Sequence, residues 1–399
     1  MEDQRSTLVE ALHLTRSGRV AEATALLQRG LGGAGARPAA HAPTAHPTAH
    51  PTAHAAAQAP GGAARGSRGV RGLLEDLSSR LPTRLPPVRR GTAPGRDGRG
   101  GASARADLPG EVLHRTHTGP AGSRTYDLYV PSGYDGRPVP LVVMLHGGTQ
   151  DAADFVAGTR MDHLAEQRTF LVAYPEQSRA ANHGRYWNWF RPGDQGRDAG
   201  EPALLAAIVR EVAGSHAVDP ERVFVAGLSA GGAMAAVLGT THPDLFAAVG
   251  VHSGLAAGSA TDAPSAFAAM RGGGAPGPAL AVPLVVFHGD QDPTVAPVNA
   301  ERLVASRLAA PGPDGAPLGE RGSAVVEDGE SGGRRYRRTV HRDARDRVVA
   351  EQWAVRGAGH AWSGGSAAGS YADPSGPDAS AQMVRFFLEH GARSPRTGA

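Results

Sequence analysis

The sequence predicts an α/β chain built on a largely parallel sheet with helices on both faces. Three observations carry that prediction. Short apolar runs recur along the chain, at Val139–Gly148, Thr169–Glu176, Val223–Ala226, Phe246–Val251, Val282–His288 and Val348–Val355. Such runs are apolar on both faces, as strands buried on both sides of a sheet are. Helical stretches alternate with them, at Met161–Arg168, Pro202–Ala213, Ala230–Gly239, Val298–Leu308 and Ser380–Glu389. Arg124–Pro131 (RTYDLYVP) alternates instead, as a half-covered strand does. Right-handed crossovers then bring the strand C-termini to one edge, where sites form.

Composition narrows the rest. The chain has 399 residues, 40% hydrophobic and 20% charged, with a net charge of +3. That is enough for one large domain with appendages. The basic residues are all arginine. Residues 1–107 hold 15 arginines against 8 acidic residues, so the remainder is slightly acidic. With no cysteine, disulfides, thiolate catalysis and Cys-ligated zinc are excluded. The segment MEDQRSTLVEALHL has no basic n-region or long apolar h-region, so no signal peptide is recognised and a cytoplasmic location is expected. No uncharged apolar stretch approaches the roughly 18 residues of a membrane span.

Four segments follow. Residues 1–30 read as a helical hairpin, with Leu8, Leu12, Val20 and Leu26 on an apolar face and a turn at Ser17–Arg19. Its face needs a cover: the core, a second copy or an apolar surface. Residues 31–111 form an Ala/Gly/Pro/Arg linker, expected to be largely disordered. It contains a His-Pro-Thr-Ala repeat from His46 to His54. Spaced histidines suggest metal, but the prolines enforce extended chain and no carboxylate accompanies them, so no metal site or cofactor is expected. Residues 112–392 make the catalytic domain and 393–399 a tail.

The stretch VFVAGLSAGGAMAAVLG (Val223–Gly239) runs an apolar strand into Gly-Leu-Ser-Ala-Gly and then a small-residue helix. Gly-x-Ser-x-Gly between a strand and a helix is a nucleophile elbow. Side chains flanking the serine would collide in so tight a turn, hence Gly227 and Gly231. Ser229 is the candidate nucleophile, and the Ala230 N–H faces a developing oxyanion.

A serine nucleophile needs a base, and the base an orienter. On such a sheet they follow in the order Ser, acid, His. The loop after Pro283–Gly289 carries Asp290 and Asp292, and Trp353–Gly365 carries His360 among glycines. Asp292 is favoured as the acid because it lies deeper in its loop, with Asp290 bonding the loop backbone. His288 supports the acid loop, His252 borders the pocket and His146 braces its own loop. The His146-Gly-Gly motif supplies a second oxyanion donor, placed at Gly148. Trp187, Trp189 and Trp362 either wall a substrate site or pack the core, and Asn188 bonds substrate or loop.

Taken together, LVVMLHGGTQ, YWNWF, DPERVFVAGLSAGGAMA, HGDQDPTV and GAGHAWSGGS make residues 112–390 resemble the esterase and polyhydroxybutyrate depolymerase family of α/β-hydrolases. The resemblance implies the α/β-hydrolase fold, with Ser229 as nucleophile, Asp292 as acid and His360 as base. It implies activity on esters of short hydroxy acids, polymeric or oligomeric, while feruloyl and acetylxylan esterases are relatives. The N-terminal hairpin with a variable linker also resembles members of this group, and the hairpin with its arginine-rich linker could serve to bind a polyester granule surface. Such members usually carry cysteine where Gly148 and Tyr186 stand, which puts the rigidity of the oxyanion loop in question. The competing readings are a serine peptidase on the same fold and a non-catalytic granule-binding protein. No nucleic-acid partner is expected.

Overall fold

Strands form where the apolar runs predict them, and their alternation divides the core in two. In the computed structural model, which describes residue 105 and residues 107–312 and 314–391, the strands are β1 (Glu111–Gly119), β2 (Gly122–Val130), β3 (Val139–Leu145), β4 (Leu171–Pro175), β5 (Val218–Leu228), β6 (Ala248–His252), β7 (Leu284–Gly289), β8 (Ser323–Ser331), β9 (Arg334–Arg342) and β10 (Val348–Val355). They pair in the order β1-β2-β4-β3-β5-β6-β7-β10-β9-β8. From β4 through β3, β5, β6 and β7 to β10 the pairing is parallel. The edges at β1-β2 and at β9-β8 are antiparallel. This is the α/β-hydrolase fold.

Helices cover both faces: α1 (Ala152–Thr159), α2 (Met161–Arg168), α3 (Gly200–Ser215), α4 (Ala230–Thr241), α5 (Ala263–Gly272), α6 (Val298–Leu308) and α7 (Ala379–His390). Leu141, Val143 and Leu145 of β3 join a cluster with Leu205 and Ile208 of α3 and with Met234 of α4. Val142 and Met144, on the opposite face, join Phe155 of α1, Met161 of α2 and Phe387 of α7. A strand apolar at every position thus supplies two cores, as a parallel sheet requires.

The structure departs from expectation at several places, among them strand β1, which forms where no strand is expected. Packing reaches back to Arg105, ahead of the expected boundary at 112: its guanidinium pairs with Asp162 at 2.6 Å and Asp127 at 3.0 Å. Helices α1 and α5 carry no strong periodic signal, and side-chain caps start both, Asp151 accepting from Asp154 N and Asp262 from Ser265 N. The β8-β9 hairpin is a charged ribbon, held by Arg337–Asp328 at 2.9 Å and Arg338–Glu327 at 3.0 Å. It has no apolar run to reveal it. The helical hairpin at 1–30, the His-Pro-Thr-Ala repeat and the tail at 393–399 lie outside the described residues. Among the described residues, no helix is long and apolar enough to cross a membrane.

Candidate active site

One residue, Ser229, joins β5 to α4. Its backbone sits at φ 56° and ψ −117°, a conformation that costs a serine about 1–3 kcal/mol. Close packing imposes it. A Cβ on Gly231 would come 2.1 Å from the Leu145 carbonyl oxygen, and one on Gly227 would come 2.4 Å from the Gly231 carbonyl carbon. The two glycines therefore answer different obstacles: Gly231 rests on the end of β3, and Gly227 rests on Gly231. Ser229 N donates to His252 O at 2.9 Å, and Ser229 O accepts from Ala233 N at 2.9 Å. The side chain makes no N-cap hydrogen bond to α4, although serine at a helix start commonly does. Ser229 is half-buried.

His360 Nδ1 lies 2.7 Å from Asp292 Oδ2. The other carboxylate oxygen, Oδ1, accepts from Thr294 N and Val295 N, both at 2.9 Å. Burial alone would raise this carboxyl. The hydrogen bonds from His288 and His360, and the His360 charge, hold it well below the usual carboxylate range. His288 Nε2 also bonds Val295 O at 2.8 Å and so braces the same loop. Asp290 points elsewhere, accepting from Gly357 N at 2.7 Å and from Arg356 at 3.1 Å. Of the two acids, Asp292 meets the histidine, and Asp290 holds the loop that carries the histidine.

His252 ties the serine turn to the histidine loop. Its carbonyl accepts from Ser229 N, and its ring Nε2 accepts from Ser363 N at 3.0 Å, three residues past His360. Burial pushes the ring down to about 3, so it is neutral and Nε2 is an acceptor. His146 is likewise neutral, pushed down by burial to about 4. Its Nδ1 donates to Gly147 O at 2.8 Å, and its Nε2 accepts from Gln177 N at 3.0 Å.

In the loop after β3, Gln150 Oε1 takes the Gly147 N–H at 2.9 Å, while Gly148 is half-buried. Ala230 is the first residue of α4, and a helix's first N–H groups have no intrahelical acceptor. The candidate wall residues Trp187, Asn188, Trp189 and Trp362 are all buried. Trp187 Nε1 donates to His146 O at 3.1 Å, and Trp362 Nε1 donates to Ser380 Oγ at 3.0 Å. Asn188 holds the buried Glu201 carboxylate through its backbone N–H at 2.6 Å and its side chain at 2.7 Å. Trp187, Asn188 and Trp362 are taken up in hydrogen bonds within the protein and Trp189 in the core, which fits the packing alternative. The aromatic groups left exposed nearby are Tyr186 and Tyr371.

The family described as "Esterase PHB depolymerase" matches residues 124–323, half of the chain. The chain belongs to that family. Poly(3-hydroxyalkanoate) depolymerase C of Paucimonas lemoignei is 34% identical over 249 residues, covering 58% of this chain and 57% of that protein. Feruloyl esterase B of Thermothelomyces thermophilus is 33% identical over 140 residues, 35% of this chain and 47% of that one. A probable acetylxylan esterase A of Neosartorya fischeri is 28% identical over 201 residues, 45% and 53% respectively. The chain spans about half the length of these curated relatives.

Residues 148 and 186 touch each other directly. The Tyr186 ring lies directly on Gly148, so that a Cβ there would meet ring carbon Cε1 at 2.0 Å. Thr149 N donates to Gly184 O at 2.8 Å, Gln177 Nε2 donates to Tyr186 O at 2.9 Å, and Arg185 pairs with Asp151 and Glu176, both at 3.3 Å. The Gly148–Tyr186 contact, the Thr149–Gly184 hydrogen bond and the Arg185–Asp151 ion pair join the two loops, while the Gln177 and Glu176 contacts brace the second loop within itself.

Two predictions follow from this geometry. Gly231→Ala meets backbone that cannot yield, and is expected to destabilise the domain by about 1–3 kcal/mol. Gly148→Ala meets the edge of the Tyr186 side chain rather than backbone, so it should cost less in the same urea titration. The second prediction concerns pH. The His146 and His252 rings are neutral in the fold but protonate near 6.5 when unfolded. Below 6.5 the unfolded chain therefore binds more protons, and stability falls as pH drops toward about 4 and about 3 respectively. Each ring contributes about 1.4 kcal/mol per pH unit in its window. His252→Gln should flatten unfolding free energy against pH between 6.5 and 4; a slope equal to the parent's would contradict the neutral-ring assignment.

Proposed function

We propose that this chain is a serine ester hydrolase in which Ser229 attacks, His360 transfers protons and Asp292 orients His360. The observation that carries the reading is the 2.7 Å hydrogen bond from His360 Nδ1 to Asp292. It leaves Nε2 as the ring's proton acceptor. The uncapped Ser229 side chain at the turn supports the same reading.

Ester cleavage proceeds by acyl transfer to water. His360 Nε2 takes the Ser229 proton as Oγ attacks the ester carbonyl. The Gly148 and Ala230 N–H groups receive the oxyanion, with the Gly147 N–H already engaged by Gln150. His360 then protonates the leaving alkoxide, and water attacks the acyl-enzyme by the reverse proton path. His360, once protonated, stays paired with an ionised Asp292, consistent with a carboxyl held well below the usual carboxylate range.

Esters of short hydroxy acids are the substrate class, supported by the poly(3-hydroxyalkanoate) depolymerase relative. Carbohydrate-linked acetyl or feruloyl esters are the second reading, supported by the acetylxylan and feruloyl esterase relatives. A panel of hydroxybutyrate oligomers, amorphous polymer, methyl ferulate and acetylated xylan separates the two. Residues 1–107 are proposed to hold the chain to polyester granules, and co-sedimentation tests that role. Ser229→Ala and His360→Ala should each lower kcat on p-nitrophenyl butyrate by roughly 10⁴-fold or more with folding intact. Asp292→Asn should cost about 10³–10⁴-fold. Near-normal turnover by Ser229→Ala would end the assignment.

A further inference from the structure

Two tyrosines stand uncovered where the neighbouring tryptophans are buried: Tyr186 is 43% exposed and Tyr371 39%. Their rings lie at two sides of the candidate site. Tyr186 rests on Gly148, the proposed oxyanion donor, and also against Gly184, where an added Cβ would come 2.5 Å from the ring. Two glycines thus make the seat that this ring occupies. Tyr371 meets His360 edge to face, with centroids 6.3 Å apart and planes at 79°.

The chain segments that present the two rings are tied together. Gln150 takes the Gly147 N–H with its carbonyl oxygen and donates through Nε2 to Ser370 O at 2.9 Å. Ser370 directly precedes Tyr371, whose own carbonyl accepts from Trp362 N at 2.7 Å. Backbone conformation adds to this. Tyr371 itself has φ 51°, and Arg185, just before Tyr186, has φ 56°. Non-glycine residues rarely hold such angles unless their surroundings enforce them, and they gather at functional sites. Burial, with the nearby Tyr371 phenol adding to it, raises the Tyr186 hydroxyl above its ordinary value.

We propose that Tyr186 and Tyr371 form a two-sided aromatic rim that binds the ester unit adjoining the one being cleaved, and so favours chains of ester units over single short esters. This inference rests on the hydrolase reading above. The chemistry of the pair fits an oligoester. Such a chain alternates short apolar carbon segments with carbonyl oxygens. A phenol offers an apolar body for the first and a hydroxyl donor for the second, with few torsions to immobilise. Arg or Lys at these positions would suit an anionic substrate; two phenols suit a neutral one.

The test compares kcat/KM for a 3-hydroxybutyrate trimer, p-nitrophenyl acetate and methyl ferulate in the full chain and in Tyr186→Leu, Tyr371→Leu and the two Phe variants. The Leu variants should lose about tenfold more on the trimer than on p-nitrophenyl acetate, chiefly through KM. The Phe variants keep the ring and should fall between parent and Leu, which also serves if a Leu variant folds poorly. Equal losses on all three esters would overturn the rim. So would a larger loss on methyl ferulate than on the trimer, which would mark an aromatic-acyl subsite instead. If the parent cleaves p-nitrophenyl acetate but not the trimer, this inference fails and the hydrolase reading stands. If the parent cleaves none of them, the hydrolase reading fails and the rim fails with it.

Discussion

The contact on which the site depends is the seating of Gly231 on the carbonyl oxygens of Leu145 and His146. Only a residue without a Cβ allows the first turn of α4 to approach the end of β3 so closely. That approach fixes Ser229 in a backbone conformation it would otherwise avoid. It also brings the start of α4, with its free N–H groups, beside the glycine loop that follows β3. One steric constraint therefore sets both the serine hydroxyl and the backbone donors on which the proposed chemistry draws. The same carbonyl of His146 accepts the Trp187 indole, which anchors the loop.

Charge is distributed sparingly around this turn. His146 and His252 are buried as neutral rings, each with Nε2 accepting a backbone N–H. Asp292 is the buried carboxylate beside His360, kept anionic by hydrogen bonds from His288, His360 and two backbone amides. In a poorly screened interior, a single paired carboxylate is worth more to a developing imidazolium than it would be in water. The two neutral histidines add hydrogen-bond geometry without adding positive charge that would oppose that imidazolium. His252 has the larger structural role of the pair, because its carbonyl and its ring serve two different loops.

Much of this was legible in the sequence, and what was not has identifiable causes. The parallel core and the Ser229 turn are readable because both are written in local pattern: apolar runs of strand length, and glycines at fixed offsets from a serine. The choice of Asp292 over Asp290 needed only loop depth, which chain position reports. The tryptophans were ambiguous, since a large aromatic residue in a motif serves packing and binding equally well until burial is known. Tyr371 gave no signal, and Tyr186 was marked only through the resemblance, as a replacement for cysteine; the exposure of either ring is not written in local pattern. The β8-β9 hairpin was hidden for another reason: it is a backbone ladder lined with charged residues, and such a charged sequence reads equally well as solvated loop. Arg105 likewise joins the domain through ion pairs with residues 22 and 57 positions away.

The central claim is that Ser229, His360 and Asp292 work as one unit. Labelling with a fluorophosphonate, followed by peptide mass mapping, tests it most directly, since the reagent reacts with a serine hydroxyl only where a base activates it. The account predicts a single adduct on Ser229, formed rapidly by the parent chain and lost in a folded His360→Ala variant. An adduct on another residue, or equal labelling of Ser229 with and without the His360 imidazole, would contradict it.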